Sequence, residues 1–261
     1  MFIIHTSNRT EHLARCLARV LSRDGSSSLF TKELFLIQSR GMERMLSQYL
    51  SKHFGVWCNA DYFLPIQWID YLSNLVGLTT DEQVFDRDLL TWQLEKLLRD
   101  IPEPSLKPIA VYLAGEQSEL KRFQLARQLA HVFDQYQMMR MDILSGWESG
   151  KTSTNDESEV WQKELWIKIR DASPSKLHRG EVISRLISSL DTFDPKDDKL
   201  PERIFVFGLH TMPPLFLSAL SSLSAKMDVH LLLLSPCALY WGDMESRKTR
   251  AKRILAAANA G

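Results

Sequence analysis

Two β-loop-α units follow one another at the start of this chain, and no other feature narrows its possible folds as much. Phe2-Ile-Ile-His5 is a short apolar run that stops at Thr6-Ser-Asn-Arg9, after which apolar residues at 13, 17, 20 and 21 recur with helical spacing. Glu33-Leu-Phe-Leu-Ile37 then reads as a buried strand and Gln38-Ser-Arg-Gly41 as a turn. Met42, Met45, Leu46, Tyr49 and Leu50 mark one face of a second helix. Consecutive units of this kind need a crossover between parallel strands, so a parallel sheet is expected.

From Leu64 the pattern changes to aromatic-rich helical segments. Trp68, Ile69 and Leu72 share one stripe, and Leu89, Leu90, Trp92, Leu94, Leu97 and Leu98 another. Pro102, Pro104 and Pro108 punctuate the middle. A long pattern over 119–139 offers Leu120, Phe123, Leu125, Leu129, Val132, Phe133 and Tyr136 for inward packing. The polar run 150–158 reads as an exposed loop, and further helices are expected over 161–169 and 181–190. Strand-like segments return at Arg203-Ile-Phe-Val-Phe-Gly208 and Asp228-Val-His-Leu-Leu-Leu-Leu234, flanking a helix that begins near Pro213. The expected organisation is an α/β domain of residues 1–64 and 195–245 with an all-helical domain, 65–194, inserted between its strands. Residues 246–261 read as a tail cut from a longer protein.

Charge and cysteine content exclude more than they assign. Thirty-two basic residues balance 32 acidic ones, so nucleic-acid contact would have to come from local patches. Three isolated cysteines, never in a C-x-x-C pair, fit neither a zinc site nor a disulfide framework and suit a reducing cytoplasm. No apolar stretch approaches membrane-spanning length, and the N-terminus lacks signal-peptide character. A nucleotide-binding version of this topology would place glycines and a lysine after the first strand. Here His5-Thr-Ser-Asn-Arg-Thr10 has neither, and no acidic pair follows the Arg203 strand to hold magnesium. His5, His53, His178 and His210 show no ligand-like spacing, so no metal and no cofactor is expected.

Several strings, taken in order, resemble the N-terminal part of the RecC family, the gamma subunit of exodeoxyribonuclease V. They are His5-Thr-Ser-Asn-Arg9, Leu36-Ile-Gln-Ser-Arg-Gly-Met42, Asn59-Ala-Asp-Tyr-Phe-Leu-Pro65, Phe133-Asp-Gln-Tyr136, Val206-Phe-Gly-Leu-His-Thr-Met-Pro-Pro214 and Ser235-Pro-Cys-Ala-Leu-Tyr-Trp-Gly-Asp243. The resemblance implies a degenerate superfamily 1 P-loop helicase-like domain, 1A-like and inactive, with a 1B-like helical insertion. It implies a non-motor subunit in a heterotrimer with RecB-like and RecD-like partners. Such a subunit guides the 3′-ended single strand and contributes to Chi recognition during double-strand break repair by homologous recombination. Nuclease and ATPase activity would lie in the partners.

The positions matching the family's Chi-reading residues are Gln38, Arg40, Arg44, Leu64, Asp70, His131, Val132, Asp134, Gln135, Arg140 and Arg179. Arginine and glutamine present paired polar atoms to base edges, and a guanidinium plane can stack on an unpaired base. Where this chain has Arg40 and Arg44 the familiar pattern has smaller or uncharged residues. It has an aromatic for Asp70 and an acid for His131, so a sequence other than the familiar Chi octamer is expected. Plainer readings stand beside these. Gln38 can cap its own turn, Asp134 and Gln135 can be buried polar groups bonding backbone, Arg15, Arg19 and Arg23 can form a solvated stripe, and Trp68, Trp92, Trp161 and Trp166 can be core. The alternative function is a scaffold lobe that holds partner subunits with little DNA contact.

Overall fold

A computed structural model describes residues 1–23, 31–78, 85–100, 106–115, 118–154, 156–173, 177–193 and 200–237. Its elements are β1 (Phe2–Ser7), α1 (Thr10–Arg23), β2 (Glu33–Ile37), α2 (Arg40–Phe54), β3 (Ala60–Phe63), α3 (Pro65–Leu75), α4 (Arg87–Leu97), α5 (Lys107–Leu113), α6 (Ser118–Met139), α7 (Met141–Glu148), α8 (Glu157–Ala172), α9 (Arg179–Thr192), β4 (Arg203–Phe207), α10 (Pro214–Ser224) and β5 (Asp228–Leu234). The chain divides into two compact units. One comprises Met1–Trp68, Asp197–Thr211 and Ser224–Gly261, the other Ile69–Lys196 and Met212–Leu223. The expected tail and the proline pair Pro102 and Pro104 lie outside the described residues.

The first unit is built on a five-stranded sheet in the order β1-β5-β4-β2-β3, every pairing parallel. Strands inside such a sheet are covered on both faces and so read as unbroken apolar runs. β4 is buried along its whole length and β2 from Leu34 onward. Their one charged pair is kept inside: Arg203 Nε donates to Glu33 Oε2 at 3.0 Å, and the guanidinium lies over the Phe205 ring. α1 buries Leu13, Ala14, Leu17, Ala18 and Leu21 along one stripe, while Arg15 and Arg19 stay exposed on the other side. α2 begins where the Ser39 hydroxyl accepts from the Met42 N–H at 3.4 Å, and stops at Gly55, whose φ of +83° few side chains tolerate.

The expected turn over 38–41 is shorter than its sequence reads. Arg40 and Gly41 already belong to the first turn of α2, because Ser39 supplies the cap. Sequence periodicity also misses β3. Its four residues, Ala-Asp-Tyr-Phe, are all half-buried and too few to show alternation. Tyr62 fixes that strand by stacking on Phe35 at 4.8 Å while its hydroxyl accepts from Ser47 Oγ and Trp57 Nε1.

In the second unit every described element is a helix. Its core gathers Phe85, Leu90, Leu94, Ala126, Leu129, Phe133, Leu144, Trp147, Leu165, Trp166 and Ile169 from α4, α6, α7 and α8 and the segments beside them. α5 and α7 are additions to the expected helices. Pro108 falls in the first turn of α5, where its missing N–H costs nothing. α7 follows α6 so closely that the two periodicities merge in the sequence. Three residues expected to face inward do not: Leu89 is 49%, Trp92 61% and Leu120 53% exposed. Each lies on a helix whose opposite side already carries enough bulk to fill the core. Trp68 and Trp166 are fully buried as expected, and Trp161 is half-buried.

Candidate functional site

Parallel sheets present ligands at the carboxyl ends of their strands, where connecting loops and helix N-termini meet. At the end of β2, Gln38 is exposed, and Ser39, not Gln38, caps the helix that follows. Arg40 and Arg44 follow on α2 four residues apart, both exposed. Arg40 is engaged: its Nη1 lies 2.7 Å from Glu43 Oε2, and its Nη2 reaches Gln67 Oε1 at 3.5 Å. Gln67 Oε1 also accepts from the Leu64 N–H at 3.2 Å, which ties the start of α3 to the same corner. Leu64 itself is half-buried against the sheet core. Arg44 makes no ion pair among the described residues, so its guanidinium is the freer of the two.

At the end of β1 only Asn8 and Arg9 separate strand from helix. A loop this short cannot wrap a polyphosphate. The open depression there, about 510 Å³, is lined by Asn8, Arg9, His12 and Arg15 among others, with Glu11 beside them.

The remaining expected residues belong to the helical unit. Asp70 is exposed on α3. On α6, His131 and Val132 are half-buried, and His131 Nδ1 is enclosed without a hydrogen-bond partner among the described residues. Asp134 and Gln135 are not buried groups bonding backbone. Gln135 is exposed, and Asp134 Oδ1 lies 2.7 Å from Arg179 Nη1 at the start of α9. Asp86 approaches the same guanidinium at 3.6 Å, so Arg179 is held between two carboxylates. Arg140 precedes α7 and is gripped by Asp142, its Nε and Nη2 donating at 2.9 and 2.8 Å. That bond holds the Asp142 carboxyl below its usual range. The structure thus joins Asp134 to Arg179, and joins Arg40 to the Leu64 corner through Gln67.

Three groupings escape sequence reading. Gln137 is fully buried and engages both ends of its amide, Oε1 accepting from the Arg179 N–H at 3.1 Å and Nε2 donating to the Phe85 carbonyl at 3.3 Å. Its place one turn after Phe133 on a buried stripe is a legible signal. His178, also fully buried, has its Nε2 3.6 Å from Glu148 Oε1 and 3.8 Å from Glu181 Oε2. These donors have metal-capable chemistry, yet Arg170 already spans both carboxylates at 3.0 and 3.4 Å and supplies the balancing charge. Burial lowers the His178 pKa to about 4 and raises that of Glu148. Last, His5 Nε2 lies 3.1 Å from His230 Nδ1, with Cys16 Sγ 3.3 Å from the other nitrogen of His5. Pairing of β1 with β5 makes that contact, across 225 residues of sequence.

No described helix is long and apolar enough to cross a membrane. The chain matches the family described as RecC, N-terminal domain, over residues 2–260. It is 31% identical over 261 residues to the RecBCD enzyme subunit RecC of Escherichia coli (strain K12), an alignment covering 97% of this chain and 23% of that protein. To the RecBCD enzyme subunit RecC of Haemophilus influenzae it is 29% identical, covering 94% of this chain and 24% of the relative. To that of Mycolicibacterium smegmatis it is 31% identical, covering 94% and 22%. The chain spans less than a quarter of the length of these curated relatives.

Proposed function

The chain belongs to the RecC family through its N-terminal domain, and from that premise we propose that it guides single-stranded DNA as a non-motor part of a RecBCD-type helicase and nuclease in cytoplasmic double-strand break repair. Its parallel-sheet unit is an inactive 1A-like helicase domain, and the helices between β3 and β4 are a 1B-like insertion. RecB-like and RecD-like subunits are its partners, and the 3′-ended strand is its ligand. The observation that carries this reading is the exposed row Gln38, Arg40 and Arg44 at the carboxyl end of β2. These side chains offer forked or paired polar atoms to base edges, at the end of a sheet where ligands bind.

The Chi-reading set is Gln38, Arg40, Arg44 and Leu64 on the sheet unit, with Asp70, His131, Val132, Asp134, Gln135, Arg140 and Arg179 on the helical unit. Within it, Arg44 and Gln135 are exposed readers. Asp134 acts by holding Arg179, and Leu64 shapes the floor beside Arg40. Arginine's fork favours the O6 and N7 acceptors of guanine, and each such contact is worth about 1–3 kcal/mol of discrimination. The preferred sequence therefore differs from the familiar Chi octamer.

The test is to purify the full-length protein with its genomic neighbours and map where cleavage changes on random-sequence DNA. Arg44→Gln should relax base preference at one position by about tenfold. Arg40→Thr should do less, because Glu43 already occupies part of its guanidinium. An unchanged preferred sequence in both variants removes these arginines from base reading. A complex that assembles normally yet binds no single-stranded DNA through this chain favours a scaffold lobe instead.

A further inference from the structure

α4 and α6 bring an exposed indole and a half-buried phenyl ring beside two guanidiniums that make no ion pair among the described residues. Trp92, 61% exposed, has its ring centroid 5.7 Å from that of Phe123, with the planes tilted by 48°. An open depression of about 480 Å³ is lined there by Arg87, Asp88, Thr91, Trp92, Phe123 and Arg127. Neither Arg87 nor Arg127 makes an ion pair among the described residues. Two arginines against one aspartate leave the rim positive. The nearby acid Glu95 adds no free charge: Arg99 Nε and Arg122 Nε donate to it at 3.0 and 2.9 Å, holding its carboxyl below the usual range. The Arg122 bridge also fastens α6 to α4, so the two rings stand on helices that are locked together.

A solvent-facing indole beside further exposed apolar side chains, Leu89 and Leu120, marks a contact surface. Its chemistry selects the partner. Aromatic faces accept any unpaired base, and adjacent unpaired arginines meet phosphates or stack in turn. We infer that α4 and α6 form a stacking platform for single-stranded DNA, one base lying on Trp92 and Phe123 and the flanking phosphates on Arg87 and Arg127. The platform rests on the reading that this chain guides single-stranded DNA, and it uses none of the residues assigned to Chi reading, although Arg127 lies one turn before His131 on α6.

Anisotropy of a labelled oligo-dT titrated with the 261-residue chain tests it. Wild type should bind with marked salt dependence. Trp92→Ala should weaken binding about tenfold and Trp92→Phe much less, since stacking tolerates any ring. Arg127→Gln should lower the slope of log affinity against log salt by about one. Exposure of Trp92 predicts an unchanged thermal midpoint, which separates lost contact from lost fold. Photo-cross-linking of an iodouracil oligomer should map to Trp92. If wild type binds and Trp92→Ala binds equally well, the platform is overturned while the proposed function stands. If wild type does not bind oligo-dT, both are overturned. If Trp92→Ala spares DNA binding but abolishes binding of poly-glutamate, the surface serves an acidic protein and the platform again fails.

Discussion

Gly180 illustrates how one residue places another. It is the second residue of α9, and a Cβ there would lie 2.6 Å from the Gln137 carbonyl oxygen and closer still to Met141 Sδ. The methionine could swing away, but the backbone carbonyl cannot. That close approach lets Gln137 accept from the Arg179 N–H and sets the Arg179 guanidinium against Asp134. Alanine gains about 1 kcal/mol of helix propensity over glycine, whereas overpacking a tight contact costs about 1–3 kcal/mol. Gly180→Ala should therefore destabilise the helical unit, read as a lower urea midpoint at unchanged slope. A midpoint equal to or above wild type would show that the contact relaxes freely.

Between elements, the network around His178 joins α7, α8 and α9 through Glu148, Arg170 and Glu181. Its folded pKa of about 4 lies below the 6.5 of a free imidazole, so the unfolded chain binds the proton more readily. The stability gained by keeping His178 neutral is complete above about pH 6.5 and is lost as the pH falls towards 4, up to about 3 kcal/mol in all. Glu148 opposes this. Burial raises its pKa, so acidification relieves the cost of its buried charge and trims the loss. The thermal midpoint should drop between about pH 7 and pH 5, and His178→Gln should flatten that drop. An equally steep drop in the variant would move the acid sensitivity elsewhere.

Across the molecule, the sheet is parallel throughout but lacks, at the end of β1, the parts that would hold phosphates. β1 passes to α1 through Asn8 and Arg9 alone, with no glycine to bring backbone N–H groups around a polyphosphate and no lysine to reach it. The depression at that end carries Arg9 and Arg15 on side chains, which meet a single phosphate but do not orient a chain of three for in-line attack. The chain should release no phosphate from ATP in the presence of magnesium. Turnover that disappears when Asn8 and Arg9 are replaced by alanine would contradict this.

Where local pattern decides structure, the sequence sufficed. The apolar runs at 34–37, 204–207 and 231–234 can be stable only when covered on both faces, and they form most of the inner strands β2, β4 and β5. The buried stripe of α1 was legible from its helical spacing, and that of α6 in part, through Leu129 and Phe133. Elements too short to show a period, β3 and α7, were not. Nor was the side on which Leu89, Trp92 and Leu120 would fall, since an apolar side chain on a helix is drawn inward only if the core still has room. The candidate site divides in the same way. Gln38, Arg40 and Arg44 were placed at a strand end by local pattern alone. The ion pair of Asp134 with Arg179, the Arg170 bridge between Glu148 and Glu181, and the contact of His5 with His230 join residues between 11 and 225 positions apart. Which partner a charge or an imidazole meets at such range depends on how helices and strands pack, and only the tertiary structure decides that.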